Sequence, residues 1–270
     1  MKTGKGLHII VCIKQVPDPE GPRDSFVINS EANRVEPRGI PPVLSLFDEN
    51  ALEAALRIKD VHGDAQITVL SIGKRISNAV MLKALSAGAD ELLKVEDERL
   101  DPGSLDSSAI AAVLACAIKQ LDYDLVLVGR QAADWNAGQV GIMIAYRLGI
   151  PAITLARKAI LDGEAVIVER VLPDGYEVVR SALPAVVMTS NEAGELRYPS
   201  MIQRREAKNK PVVTWGLGDI GIDAPPANKV VLKRLSTPAI VTGACTLIDG
   251  ATAAEAGRNL ALRLRQDKVI

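Results

Sequence analysis

The sequence predicts an α/β fold with a doubly wound, mainly parallel sheet, followed by an extended arm that ends in a helix. Three observations carry this expectation. Up to Gly149, short and nearly continuous apolar runs alternate with segments of helical periodicity, the pattern of βαβ units whose strands are covered on both faces. Several of the apolar runs stop at a glycine or enter polar residues, as strands do where they feed loops. Beyond about residue 190 the alternation gives way to a basic stretch, a Gly- and Pro-rich stretch and one last helical pattern.

The elements follow in order. LHIIVCIK (7–14) is a β-rich apolar run. DENALEAALRIKDVHG (48–63) places Ala51, Leu52, Ala55 and Leu56 at helical spacing, with Asp48 as candidate cap and Gly63 as stop. AQITVLSIG (65–73) is the next strand, and SNAVMLKALSAGA (77–89) the next helix, with Ser77 as candidate cap. ELLKVED (91–97) is a short strand, SSAIAAVLACAIKQLD (107–122) a helix, YDLVLVG (123–129) a strand, and GQVGIMIAYRLG (138–149) a helix closed by Gly149. After Pro151 two alternating strands flank Pro173-Asp174-Gly175, which predicts a hairpin, and a buried strand follows. AAEAGRNLALRLRQDK (253–268) is a terminal helix with basic residues near its end, as the helix dipole favours. The expected division is an α/β body over 1–190 and an arm over 191–270.

Composition bounds the function. The chain has 270 residues, 48% hydrophobic and only 3% aromatic, so Ala, Val, Ile and Leu build the core. A net charge of −1 argues against general nucleic-acid binding through phosphate neutralisation. No apolar run approaches the roughly 18 residues of a membrane span, and the apolar stretch of the N-terminus is too short for a signal peptide. Cys12, Cys116 and Cys245 are too widely spaced for a metal pattern or a disulfide framework. The expected location is the cytoplasm.

VLVGRQAADWNAGQVG (126–141) is the candidate site. In an open parallel sheet, ligands bind beyond the carboxyl ends of the strands. Gly129 lies at such an end, Gly138 allows close backbone approach, and the helix starting near it offers free N–H groups to an anion. Gln131, Asp134 and Gln139 add polar side chains that suit a sugar or base. A polar loop leading into a capped helix explains the same spacing equally well. Further strand-end segments, CIKQVPD (12–18), LSLFDENALE (44–53) and LSIG (70–73), fall where a nucleotide would bind in such a fold.

Taken together, these segments resemble the beta (small) subunit of electron transfer flavoproteins. The resemblance covers essentially the whole chain. It rests on VCIKQVPD, FDENALEAALRIKD, ALSAGAD, DLVLVGRQAAD, GQVG, LPAVV and LRYPS in that order. It implies an adenine nucleotide alpha hydrolase-like, Rossmann-like fold and a heterodimer with an alpha subunit that holds a redox-active FAD. The arm would wrap that alpha subunit. Electrons would pass between dehydrogenases, such as those of acyl-CoA dehydrogenase type, and an acceptor, with no substrate chemistry in this chain. Members hold AMP as a structural ligand in one branch and a second FAD in the electron-bifurcating branch.

Carried over by resemblance, the nucleotide contacts fall on Cys12, on Ser45, Leu46, Phe47 and Asp48, on Ile72, and on Gly129, Arg130, Gln131, Asp134, Asn136, Ala137, Gly138, Gln139 and Val140. Two features depart from the family pattern. Ser45-Leu46 stands where AMP-binding members read Asn-Pro, and the long loop carries Trp135, Asn136 and Ala137 where FAD-type members read Gly, Asp and Thr. The loop length matches the FAD type, which tips the expectation to FAD with AMP as the alternative. Met201, with Arg204 and Arg205 beyond it, matches the family's docking loop; a solvated basic linker is the other reading of that stretch.

His8 and His62 have no Ser or Cys at triad spacing, so a hydrolase triad is not expected. Cys12 and Cys116 read as small core residues, and Cys245 as an exposed arm residue. The rival function is a nucleotide-binding hydrolase or stress-type module of the same fold, for which the long arm has no use. A subunit whose nucleotide site has become mere scaffold is a third reading.

Overall fold

The computed structural model describes residues 6–237, 243 and 245–270. The first five residues of the N-terminal stretch, and 238–242 and 244 of the expected arm, lie outside these. The chain divides into two compact units, Met1–Leu235 and Ser236–Ile270.

The first unit contains β1 (His8–Cys12), β2 (Gln15–Pro17), β3 (Phe26–Asn29), β4 (Arg34–Pro37), β5 (Pro42–Leu44), α1 (Leu46–Val61), β6 (Gln66–Gly73), α2 (Asn78–Ala87), β7 (Glu91–Glu96), α3 (Ser107–Lys119), β8 (Leu125–Gly129), α4 (Val140–Leu148), β9 (Ala152–Asp162), β10 (Ala165–Leu172), β11 (Gly175–Ala182), β12 (Ala185–Thr189), α5 (Met201–Glu206) and β13 (Val212–Trp215). Nine strands form the central sheet in the order β11-β10-β9-β12-β8-β1-β6-β7-β13. All neighbours from β9 to β13 along that order pair in parallel; β9–β10 and β10–β11 pair antiparallel.

The period-2 geometry of the strands builds two cores from each continuous apolar run. Ile9 and Val11 of β1, Ile67 and Val69 of β6, and Leu125 and Leu127 of β8 face one core, where Leu52 and Leu56 of α1 and Met81 and Leu85 of α2 pack. Ile10 and Cys12, Leu70, and Val126 and Val128 face the other, closed by Val113 and Ile118 of α3 and Ile144 of α4. Gly141 lets α4 sit close to the sheet: a Cβ there would lie 2.6 Å from Val128 and 2.7 Å from Met188. The doubly wound fold expected from the sequence is therefore the fold observed. β1 lies at the switch point, with β6 on one side and β8 on the other.

Several expectations are corrected. The segments leaving β1 are not simple loops, because β2 pairs with β5 and β3 pairs with β4. Residues after Pro151 give a further long strand, β9, before the predicted hairpin of β10 and β11. The chain does not lose regularity after Arg197: α5 forms behind the capping box of Ser200 and Gln203, and β13 returns as a parallel edge strand beside β7. The sheet thus extends past the expected boundary near residue 190, and the first compact unit runs to Leu235. The apolar run at β13 is too short to announce a strand; its pairing with β7 completes it.

The second unit holds α6 (Ala253–Gln266), the terminal helix expected from the sequence. Thr252 caps it by accepting from the Glu255 N–H at 3.2 Å, and Arg263 pairs with Asp267 at 2.8 Å near its end. None of its residues is buried.

Candidate functional site

The carboxyl ends of β1, β6 and β8 open onto a cavity of about 1000 Å³, lined there by Cys12, Ile72 and Gly129. This is the switch-point position that the strand order dictates, and its size lies at the upper end of ligand clefts, which run to roughly 1,000 Å³.

Asp48 organises the floor. The sequence marks it as the cap of α1, but Ser45 holds that position and Asp48 falls in the first turn. Its buried carboxylate turns instead to two strand ends, accepting the Lys14 N–H at 2.8 Å and the Gly129 N–H at 3.2 Å. Burial pushes its pKa up to about 7, against the opposing pull of those two N–H groups and the Lys14 charge. Burial, with the Asp48 charge added, also pushes the Cys12 thiol far up, so Cys12 is a packing residue and not a thiolate nucleophile. Gly129 is required by this approach: a Cβ would lie 2.5 Å from Asp48 Oδ1 and 2.6 Å from the Phe47 carbonyl carbon.

The loop from 129 to 141 is braced internally. Gln131 Nε2 donates to Asn136 Oδ1 at 3.0 Å, and Lys14 pairs with Asp134 at 2.7 Å. Asn136 (φ 50°) and Gly138 (φ 65°) both occupy the left-handed region, where an Asn or Gly is favoured. The N-cap of α4, Gln139, makes no side-chain hydrogen bond to the helix, so the first-turn N–H groups are free to meet a ligand. Arg130 stacks over Phe47 at 4.9 Å, and its Nε is buried without a partner.

Of the residues singled out from the sequence, Cys12, Asp48, Ile72, Gly129, Arg130, Gln131, Ala137, Gly138, Gln139 and Val140 line the cavity. The others stand behind or beside it. Ser45 is fully buried at the start of α1 and donates its backbone N–H to the Lys14 carbonyl at 2.9 Å. Phe47 supports Arg130, Leu46 is exposed, and Asp134 and Asn136 brace the loop. Sequence reasoning did not single out Lys14, the segment from Ser104 into the first turn of α3 at Ser107 and Ser108, or residues 228–234, all of which line the cavity. The lysine could have been found, since it follows the first strand directly; the other two lie far from the glycine-bearing loop in sequence.

Away from the cavity, α5 carries Met201 and Ile202, 78% and 65% exposed, and Arg204 stacks over the exposed Tyr198 ring at 4.6 Å. Arg205 ends the same short helix. Lys210, part of the basic run in the sequence, leaves that face: its Nζ donates to the Leu85 and Ala89 carbonyls at the end of α2. Arg197 ties the segment to α1, pairing with Glu53 at 3.0 Å and with Asp60 at 2.8 Å.

Fold and cavity define a doubly wound α/β protein with a large cleft at the switch point of its sheet. The model of the electron transfer flavoprotein domain matches residues 35–219, and the chain belongs to the electron transfer flavoprotein family, as a beta subunit. The chain is 34% identical to the caffeyl-CoA reductase-Etf complex subunit CarD of Acetobacterium woodii, over 98% of this chain and 100% of that one. It is 37% identical to the electron transfer flavoprotein subunit beta of Clostridium acetobutylicum, over 80% of this chain and 81% of that one. It is 32% identical to protein FixA of Azorhizobium caulinodans, over 90% and 89% respectively. Its role is electron transfer, and the rival reading as a hydrolase or stress-type module is not favoured. Among the described residues no helix is long and apolar enough to cross a membrane.

Proposed function

We propose that this chain, paired with an alpha subunit that carries its own FAD, holds an adenine nucleotide in the strand-end cavity, and that this nucleotide is FAD, with AMP the alternative. The observation that carries the reading is the cavity itself: its position at the switch point, its volume of about 1000 Å³, and the buried Arg130 Nε that lacks a partner. The donor set fits a phosphorylated ligand. The free first-turn N–H groups of α4 and the Arg130 guanidinium suit phosphate oxygens, Gly138 keeps the backbone open beside them, and Gln131 and Gln139 suit sugar or base hydroxyl and amine groups. The cavity's volume favours the dinucleotide over AMP.

Bound FAD would supply one- and two-electron chemistry; this chain's residues bind it, orient it and exclude water. Asp48 and Gly129 hold the floor of the site in register, and no residue of the chain is required to transform a substrate. A flavin in each subunit is the arrangement that electron bifurcation needs. The complex named for the Acetobacterium woodii relative supports a partner reductase or dehydrogenase, and we assign its docking to Met201, Arg204 and Arg205, an apolar centre with a charged rim. The segment beyond Leu235, with exposed Leu247, Leu260 and Leu262, fits an apolar embrace of the alpha subunit.

The test is the flavin-to-AMP ratio of the purified heterodimer. About two FAD and no AMP per heterodimer is expected. One FAD with one AMP would move the site to the AMP branch, and one FAD alone would make the cavity a scaffold.

A further inference from the structure

The cavity has a wall contributed by residues 228–234, far along the chain from the glycine-bearing loop. Two distant elements pin this strap. At one end Asp106, the N-cap of α3, accepts the Val230 N–H at 2.8 Å and the Lys229 N–H as well, while the Asn228 side chain accepts from the Asp106 N–H at 2.9 Å and donates to the Ser104 carbonyl at 2.7 Å. At the other end Asn33, in the turn between β3 and β4, donates to the Leu232 carbonyl and accepts the Leu235 N–H at 2.7 Å.

The strap changes the charge of the cavity. It brings Lys229, Lys233 and Arg234 to a lining that already has Lys14 and Arg130, against only Asp48 and Asp106. Both acids are committed to backbone N–H groups, and Lys14 is taken by Asp134. Among the described residues Lys229, Lys233 and Arg234 have no carboxylate partner. An excess of unpaired cations around a cleft is a demand for a polyanion, and one phosphate would leave it largely unmet.

We infer that residues 228–235 form a pinned strap whose Lys233 and Arg234 bind the diphosphate of a dinucleotide in the cavity. The strap therefore selects FAD over a mononucleotide monophosphate. This rests on the nucleotide reading above and adds to it the residues that choose between the two ligands.

The heterodimer tests it with two variants. Asn33→Gly removes both pins at one end; because Asn33 sits at φ 51°, glycine adopts its backbone without strain. Lys233→Gln with Arg234→Gln removes the charges and leaves the pins. FAD and AMP are the probes, and the readouts are nucleotide retained after gel filtration and tryptic cleavage at Lys229, Lys233 and Arg234. In the wild type, FAD should slow cleavage at these sites about tenfold and AMP should do so far less. The charge variant should release the second FAD about tenfold faster or more, as loss of charge-assisted hydrogen bonds implies, and Asn33→Gly should speed both release and cleavage. If both variants hold FAD as the wild type does, the strap inference is overturned while the nucleotide reading stands. Equal protection by AMP and FAD would overturn the diphosphate assignment. A wild-type chain that holds neither probe would remove the nucleotide reading and the strap with it.

Discussion

Asp48 and Glu53 lie little more than one turn apart on α1, both are buried, and their carboxyl groups respond in opposite ways. Asp48 meets backbone N–H groups and is pushed up to about 7 by burial. Glu53 is also opposed by burial, but the Arg197 side chain and N–H, with Arg57, hold it below the usual carboxylate range. The difference is the partner. Backbone dipoles position a carboxylate without neutralising it, whereas a guanidinium does both. The N-terminal part of α1 is thereby given to the cavity, and the remainder to anchoring the segment that leads to α5.

The largest effect should come from breaking the second arrangement. Arg197→Met leaves Glu53 with Arg57 and the backbone N–H of residue 197 but without its main guanidinium partner, and the loss of a largely buried pair's partner costs about 3 kcal/mol. The urea midpoint of the heterodimer should fall accordingly, with nucleotide content unchanged. A shift no larger than that of an exposed ion pair would erase the contrast between the two carboxylates.

Next in size is Gly129→Ala. The new Cβ meets Asp48 and the backbone of Phe47, which cannot yield as a flexible side chain would, so a cost of about 1–3 kcal/mol is expected. Unlike Arg197→Met, it should also lower nucleotide content. Denaturation and ligand analysis on one preparation separate the two.

The pH dependence sharpens the comparison further. Because the folded pKa of Asp48 is raised, its contribution is fully present below the unfolded value near 3.8 and is lost as pH rises through about 7. Over that window the folded state holds a proton that the unfolded chain has released, so stability falls with pH, by at most about 1.4 kcal/mol per unit. Asp48→Asn should flatten the slope of stability against pH between about 4 and 7. Glu53 has the opposite sign: its stabilisation is present above its unfolded pKa and is lost as pH falls through the depressed folded value. An unchanged slope in the Asn variant would show that Asp48 is not the group responsible.

The smallest effect on stability should come from α5. Met201→Ala, or Arg204 and Arg205 to Glu, touches exposed side chains and should stay within about 0.5 kcal/mol. Stopped-flow reduction by a partner dehydrogenase should nevertheless slow, and for the charge reversals chiefly at low salt. Unchanged rates in both variants would leave α5 as a solvated basic segment.

The parallel strands were legible because a strand buried on both faces must be apolar throughout, and 8–12, 66–73 and 125–129 are. The helices were legible from their period and from Ser77, which does cap α2. The strands between residues 15 and 44 and at 212–215 were not, since they are only three or four residues long and owe their structure to a pairing partner. Met201 could be singled out because it is an apolar residue ahead of a basic run. Lys210 could not be separated from that run, because the carbonyls that receive it belong to α2 and the turn after it.

The sequence by itself determined the two-faced parallel core, the glycine-bearing loop at the end of β8, the terminal helix and the family. Each is written in residues that are neighbours along the chain, where periodicity and composition act directly. Only the tertiary structure decided what the polar side chains do. Asp48 reaches Gly129 across 81 positions, Asp106 reaches Val230 across 124, and Asn33 reaches Leu235 across 202. A carboxylate or amide takes whichever donor the fold brings within about 3 Å, and no local pattern records which one that will be.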